Sequence, residues 1–253
     1  MITHSHGVIV LDGASTFTAG APSARQFVDA LGNELAASID AETDLREVLS
    51  HSLEATRNNL KLQKGRSPCS TVAIIRAGAN ALDVLVLGDS TVVLGYTNGS
   101  HEILTDNRLE ALQLSESARY RERLGAGVGY DAAHAELLGE LQHRQQRLRN
   151  RLGGYWIAEA DPTAADHAAM MTRPLGSVVW AIAATDGAFD VLSFLEIRWD
   201  DIASADDEGL RRLLLRLHSW EADSDPHGQL LPRAKQHDDK TIAVVRPWCS
   251  VSS

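Results

Sequence analysis

The sequence predicts an α+β fold in which antiparallel sheets are covered by helices on their outer faces. Three observations carry this reading. Apolar runs of strand length follow one another over connections too short for a parallel crossover. Helix-spaced segments stand both before and after those strands. The chain of 253 residues, 44% hydrophobic and 23% charged, can bury a large core within one domain.

In chain order, Val8 to Leu11 is a short continuous apolar strand. Helix spacing starts at Pro22, which suits a first helical turn, and Phe27, Leu31 and Leu35 repeat at i, i+4, i+8. A second amphipathic helix runs from about Asp44, with Leu45, Leu49, Leu53 and Leu60 on one side, until "GRSPCS" breaks it. Strands then come in quick succession at "STVAIIRA", "LDVLVLGD" and "TVVLGY". Asn98-Gly99 is a hairpin signal between the last of these and "HEILT". The polar stretch 106–151, rich in Arg and Glu, reads as two helices. Strands return at "GYWIAEA" and "SVVWAIAAT", helices at about Ala188–Ile197 and Asp206–Trp220, and the last strand is "KTIAVVRP".

The net charge of −10 disfavours a nucleic-acid partner held through phosphates. Cys69 and Cys249 lie far apart, without metal-ligand spacing, and read as a small buried residue and a tail residue in a reducing compartment. No apolar run reaches the roughly 18 residues of a membrane helix, and "MITHSHGVIV" lacks a signal-peptide layout. A cytoplasmic protein without a membrane partner is expected.

Four apolar strands meet a carboxylate at one end: "VIVL" at Asp12-Gly13, "LVLG" at Asp89, "IAAT" at Asp186-Gly187, and "TIAVV" preceded by Asp238-Asp239. Taken singly, an Asp-Gly after a strand is more often a turn than a ligand. As a set the four say more. If the strand ends converge, each close carboxylate pair repels by about 4 kcal/mol at an effective dielectric near 20. Divalent cations remove that cost, and oxygen donors without Cys select Mg²⁺ or Mn²⁺. Gly13 and Gly187 permit close backbone approach, and Gly13 can offer its carbonyl.

The motifs "VIVLDGAS", "LVLGDSTVVL", "AATDGAFD" and "HDDKTIAVV" occur in the order and rough spacing of the metal-dependent protein phosphatases, the PPM or type-2C Ser/Thr class, which the chain resembles from Val8 to Val245. It looks closest to small actinobacterial members with an "NRxGGYW" segment, here Asn150 to Trp156. The resemblance implies a four-layer α-β-β-α sandwich of two antiparallel sheets flanked by helices, one domain over 1–253 with a helical flap-like insertion at about 106–153. It implies two metal ions and a weaker third. Asp12 would bridge the pair, Gly13 would ligate through its carbonyl, Asp186 and Asp238 would supply carboxylates, and Asp89 would share the third ion with Asp186. It further implies in-line attack on phosphorus by a metal-bridging water, with Asp12, Asp186 and Asp238 as the catalytic set and a phosphorylated protein as substrate.

The chain also departs from the family. The family's first strand carries a phosphate-gripping Arg and a Glu-Asp pair, and no such strand precedes Asp12; Asn33-Glu34 falls inside a predicted helix. Either the sequence starts downstream of the true start or part of the phosphate grip is lost. Where many members have a His two residues after the first Asp, this chain has Ala14.

Other candidates are weighed beside these. "LGAGVGY" follows a helical pattern rather than a strand and lacks the dinucleotide spacing. His4 and His6 read as a frayed end more readily than as ligands. His237, beside Asp238, could donate a proton to a leaving alkoxide or be a surface loop residue. Arg144, Arg147, Arg149 and Arg151 form either a solvated helix face paired with Glu136 and Glu140, or a flap whose arginines, Arg151 and Arg147 foremost, receive phosphate. Three functions stay open: a protein Ser/Thr phosphatase, a catalytically weakened phosphatase-fold regulatory module, and a phosphatase of small metabolites.

Overall fold

The computed structural model describes residues 1–14, 16 and 18–246; Cys249 lies outside the described residues. Strands β1 (Ile2–His4), β2 (Gly7–Ala14), β3 (Cys69–Ala77), β4 (Ala81–Leu87) and β7 (Ala169–Pro174) form a five-stranded sheet in the order β1-β2-β3-β4-β7. Strands β5 (Thr91–Tyr96), β6 (His101–Thr105), β8 (Val178–Ala184) and β9 (Ile242–Val245) form a four-stranded sheet in the order β6-β5-β8-β9. Every neighbouring pair is antiparallel.

The continuous apolar runs follow from burial on both faces. In β2, Ile9 and Leu11 point with Val72 and Ile74 of β3 toward helices α1 (Ala24–Ser38) and α2 (Leu45–Leu60), meeting Phe27, Leu31, Leu49 and Leu53. The alternate residues Val8 and Val10 point the other way, with Ala73 and Ile75, onto Val92, Leu94, Ala181 and Ala183 of the second sheet. That sheet's outer face, with Val93 and Ile182, packs against α6 (Asp186–Phe194), α7 (Trp199–Ser204) and α8 (Asp207–Ser219) through Val191, Leu192, Ile202 and Leu217. The result is four layers, helix–sheet–sheet–helix. Gly95 is needed within them, because a Cβ there would sit 2.1 Å from the indole of Trp180 on the neighbouring strand.

Several expectations are corrected. Pro22 lies outside α1: Ser23 is the N-cap, in a reciprocal capping box with Gln26. The N-terminus is not frayed, since β1 pairs with β2 along the sheet edge. The 106–151 stretch holds three helices, α3 (Arg108–Ala111), α4 (Ser115–Gly125) and α5 (Ala132–Leu148). "GYWIAEA" is not a strand. Its backbone is satisfied by the Asn150 side chain, whose Oδ1 accepts from Ile157 N at 2.9 Å and whose Nδ2 donates to Ile157 O at 3.0 Å. Its strand-like pairings among the described residues are isolated bridges, Ser70 to Ala158 and Arg149 to Tyr155. Strand β7 was not foreseen.

Among the described residues no helix is long and apolar enough to cross a membrane.

Candidate metal centre

The four carboxylates gather at one rim of the sandwich because of how the strands run. Asp12, near the end of β2, pairs with Thr71 of β3, and Val72 beside it pairs with Leu87, two residues before Asp89. In the other sheet Ala184 pairs with both Thr91 and Ile242, so the end of β8, the start of β5 and the start of β9 lie side by side. Asp186 follows β8 as the first residue of α6, and Asp238 precedes β9. The rim is fixed by Thr71 and Ser90, both buried, whose hydroxyls share a 2.6 Å bond. It is fixed again by Thr185 Oγ1, which accepts from Thr241 N at 3.0 Å.

Two glycines make room. A Cβ on residue 13 would lie 2.7 Å from the Val28 side chain of α1, so Gly13 lets the helix close onto β2. A Cβ on residue 187 would lie 2.9 Å from Asp238 Cβ. The Gly187 N–H donates to Asp186 Oδ1 at 2.7 Å and orients that carboxylate.

The electrostatics report the crowding. Removal from water, and then the charges of Asp186 and Asp238, push Asp12 up to about 7. Burial and the charge of Asp186 push Asp89 up to about 7. Asp186 is itself raised, by burial and then by Asp238. Asp190, the last residue of "AATDGAFD", is not among the ligands predicted from the sequence, yet it stands one helical turn beyond Asp186 on α6. Its carboxyl is raised to about 6 by desolvation and then by Asp186 and Glu110. Lys235 is a nearby cation, its Nζ 2.7 Å from Asp238 Oδ1. Burial works against its charge, but Asp238, Asp12 and Asp186 raise it. Five carboxylates, offset by Lys235 and by Arg121 beside Asp190, are a set that cannot hold full charge by itself.

The remaining candidates separate from this rim. His4 and His6 adjoin the opposite end of β2, about 20 Å of strand from Asp12. His237 faces Glu221, with Nδ1 3.2 Å from Oε2. "LGAGVGY" is the turn after α4, with no strand before it. Glu140 pairs with Arg119 of α4 at 3.0 Å rather than with the arginines that follow it. Arg144 and Arg147 are exposed on α5, and Arg151 is exposed in the turn beyond it. No hydrogen bond or ion pair joins Arg147 or Arg151 to the carboxylates among the described residues. Arg149 alone turns inward, donating to Ser67 O at 3.2 Å and facing the buried Glu159 at 3.8 Å.

The fold has known counterparts. No family model matches the sequence, and no curated protein matches it. Among solved structures, the serine/threonine phosphatase Stp1 from Staphylococcus aureus superposes with a TM-score of 0.55 at 12% identity, over 96% of this chain and 83% of that one. A serine/threonine phosphatase of S. agalactiae superposes with a TM-score of 0.50 at 16% identity, over 96% of this chain and 88% of that one. The chain therefore has the fold of the bacterial type-2C-like serine/threonine phosphatases, as the resemblance of its motifs implied.

Proposed function

We propose that the chain is a cytoplasmic, divalent-metal-dependent phosphomonoester hydrolase acting on phosphoserine or phosphothreonine in proteins. The observation that carries this is the convergence of Asp12, Asp89, Asp186 and Asp238 from both sheets, with Asp12 and Asp89 raised to about 7. Half-buried carboxylates that repel one another fit hard cations and little else.

Asp12, the Gly13 carbonyl, Asp186 and Asp238 would hold a pair of Mg²⁺ or Mn²⁺ ions, and Asp89 with Asp190 a weaker third. When bound, such ions neutralise phosphate charge and lower the pKa of coordinated water. The protein's own share is positional. Gly187 and Lys235 set the orientation of Asp186 and Asp238, and the Thr71–Ser90 bond fixes the turn that carries Asp89. Arg147 on α5 and Arg151 in the turn beyond it, both exposed, would receive phosphate or an acidic substrate. A second reading, a regulatory module, is favoured by the lack of any arginine in β1 and β2 to grip phosphate.

The deciding assay uses p-nitrophenyl phosphate and a phosphothreonine peptide with and without Mn²⁺. Turnover that needs Mn²⁺, stops in chelator and is lost in Asp12→Asn supports the enzyme. Metal binding without turnover on either substrate supports the module.

A further inference from the structure

A second cluster of metal-binding side chains lies beside the carboxylate rim and shares no ligand with it. His218 lies in the last turn of α8, Glu221 follows in the π-helical turn Trp220–Ser224, and His237 comes from the loop that enters β9. One ligand atom from each of the three lies within 4.8 Å of the others. The imidazole rings stand 4.4 Å apart, tilted by 38°. A π turn is rare and is found mostly at functional sites; here it places Glu221 three residues after His218 and facing His237.

The state of Glu221 is the independent observation. Its side chain is 1% exposed, yet Oε1 has no hydrogen-bond partner. Oε2 already accepts from Lys240 Nζ at 2.7 Å and faces His237 Nδ1 at 3.2 Å. Arg233 Nε stands 3.7 Å from Oε1, beyond hydrogen-bond reach, and Arg233 is engaged by Asp225 at 2.6 Å. A buried carboxylate oxygen without a donor is destabilising, and a ligand at that oxygen would remove the cost.

We propose that His218, Glu221 and His237 form a binding site for a transition-metal ion of the Zn²⁺ type. Two imidazoles with one carboxylate are a common zinc donor set, whereas Mg²⁺ seldom takes imidazole. Tetrahedral zinc at its usual bond lengths places ligand atoms about 3.4 Å apart, so modest side-chain rotation closes the cluster. Lys240 and Arg233 oppose the incoming charge and hold the affinity below that of a closed structural site. His237 directly precedes Asp238, so occupancy here would bear on the loop that presents a carboxylate to the rim.

The test uses the full chain in saturating Mg²⁺, titrated with Co²⁺ and read by visible absorption, then with Zn²⁺ by calorimetry. One equivalent of Co²⁺ with the intense band of a low-coordinate site is expected, displaced by Zn²⁺ and not by Mg²⁺. His218→Ala, which removes an exposed side chain, should weaken binding by at least about tenfold with the circular dichroism spectrum and basal phosphatase activity unchanged. Asp12→Asn should leave Co²⁺ binding intact. Absence of Co²⁺ binding in the parent, equal binding in His218→Ala, or loss of binding in Asp12→Asn alone would each overturn the site.

Discussion

A Cβ built on Gly187 would stand 2.9 Å from the Cβ of Asp238 and 2.7 Å from the carbonyl oxygen of Asp239, so the strand-end glycine and the opposing aspartate fit only because residue 187 has no side chain. Gly187→Ala must therefore move the loop that leads into β9, while the first turn of α6 tolerates alanine well. The expected outcome is a folded protein whose Mn²⁺ affinity falls by about 10- to 100-fold. Calorimetric titration with Mn²⁺ checks this, and unchanged affinity would show that Asp238 is not a ligand.

The raised carboxyls set a pH dependence for the chelated protein. Asp12 and Asp89 titrate near 7 when folded, against 3.8 for a free side chain. The folded state then binds more protons than the unfolded state between those values. The stability these groups contribute is fully present below about pH 4 and is lost as pH rises through about 7. In EDTA, Tm should fall between pH 5 and 7.5, and more steeply than in the Asp12→Asn variant, which keeps the Asp89 titration but loses that of Asp12. Saturating Mg²⁺ should reverse the trend by favouring the ionised carboxylates. A chelated protein no less stable at pH 7.5 than at pH 5 would contradict the crowded site.

Asp89 and Asp190 share the outer part of the rim with Asp186. Asp89→Ala and Asp190→Asn should each lower kcat by about tenfold or more while leaving the tightest metal-binding event nearly unchanged. Titration with Mn²⁺ distinguishes this from membership in the core pair, for which all binding would be lost.

The arginines of the flap should divide by burial. Arg151→Ala should raise KM for a phosphopeptide more than it lowers kcat, because an exposed guanidinium mainly holds the ground state. Arg149→Ala should instead act on stability. It strands Glu159, 1% exposed, without its charged neighbour and should cost about 3 kcal/mol, read by urea denaturation. Parent-like kinetics in Arg151→Ala would return that residue to a solvated surface.

Much of this was legible because strand and site use the same signal. The apolar runs ending at Asp12, Asp89 and Asp186 mark strands buried on both faces, and the polar residue that follows must sit where the layers open. Asp190 was not legible, because an Asp inside a helix reads as solvated until its neighbours are known. "GYWIAEA" misled because an aromatic and apolar run normally pairs with a strand, whereas the Asn150 amide substitutes for one. Strand β7, "AMMTRP", is a sheet edge with two methionines and a terminal proline, so little in its composition favours a strand. His218, Glu221 and His237 are joined only by the return of the chain to β9.

The division of the proposed ligands between the sheets has a mechanical side. Asp12 belongs to the five-stranded sheet, Asp186 and Asp238 flank strands of the four-stranded one, and Asp89 lies on the connection between them. Ions held among them would act as a rivet through two plates otherwise joined by apolar contact and by polar links such as Arg173 of β7 to Glu102 of β6. Chelation would then loosen the seam as well as silence the chemistry, and amides at the rim should exchange with deuterium sooner than those at the far edge.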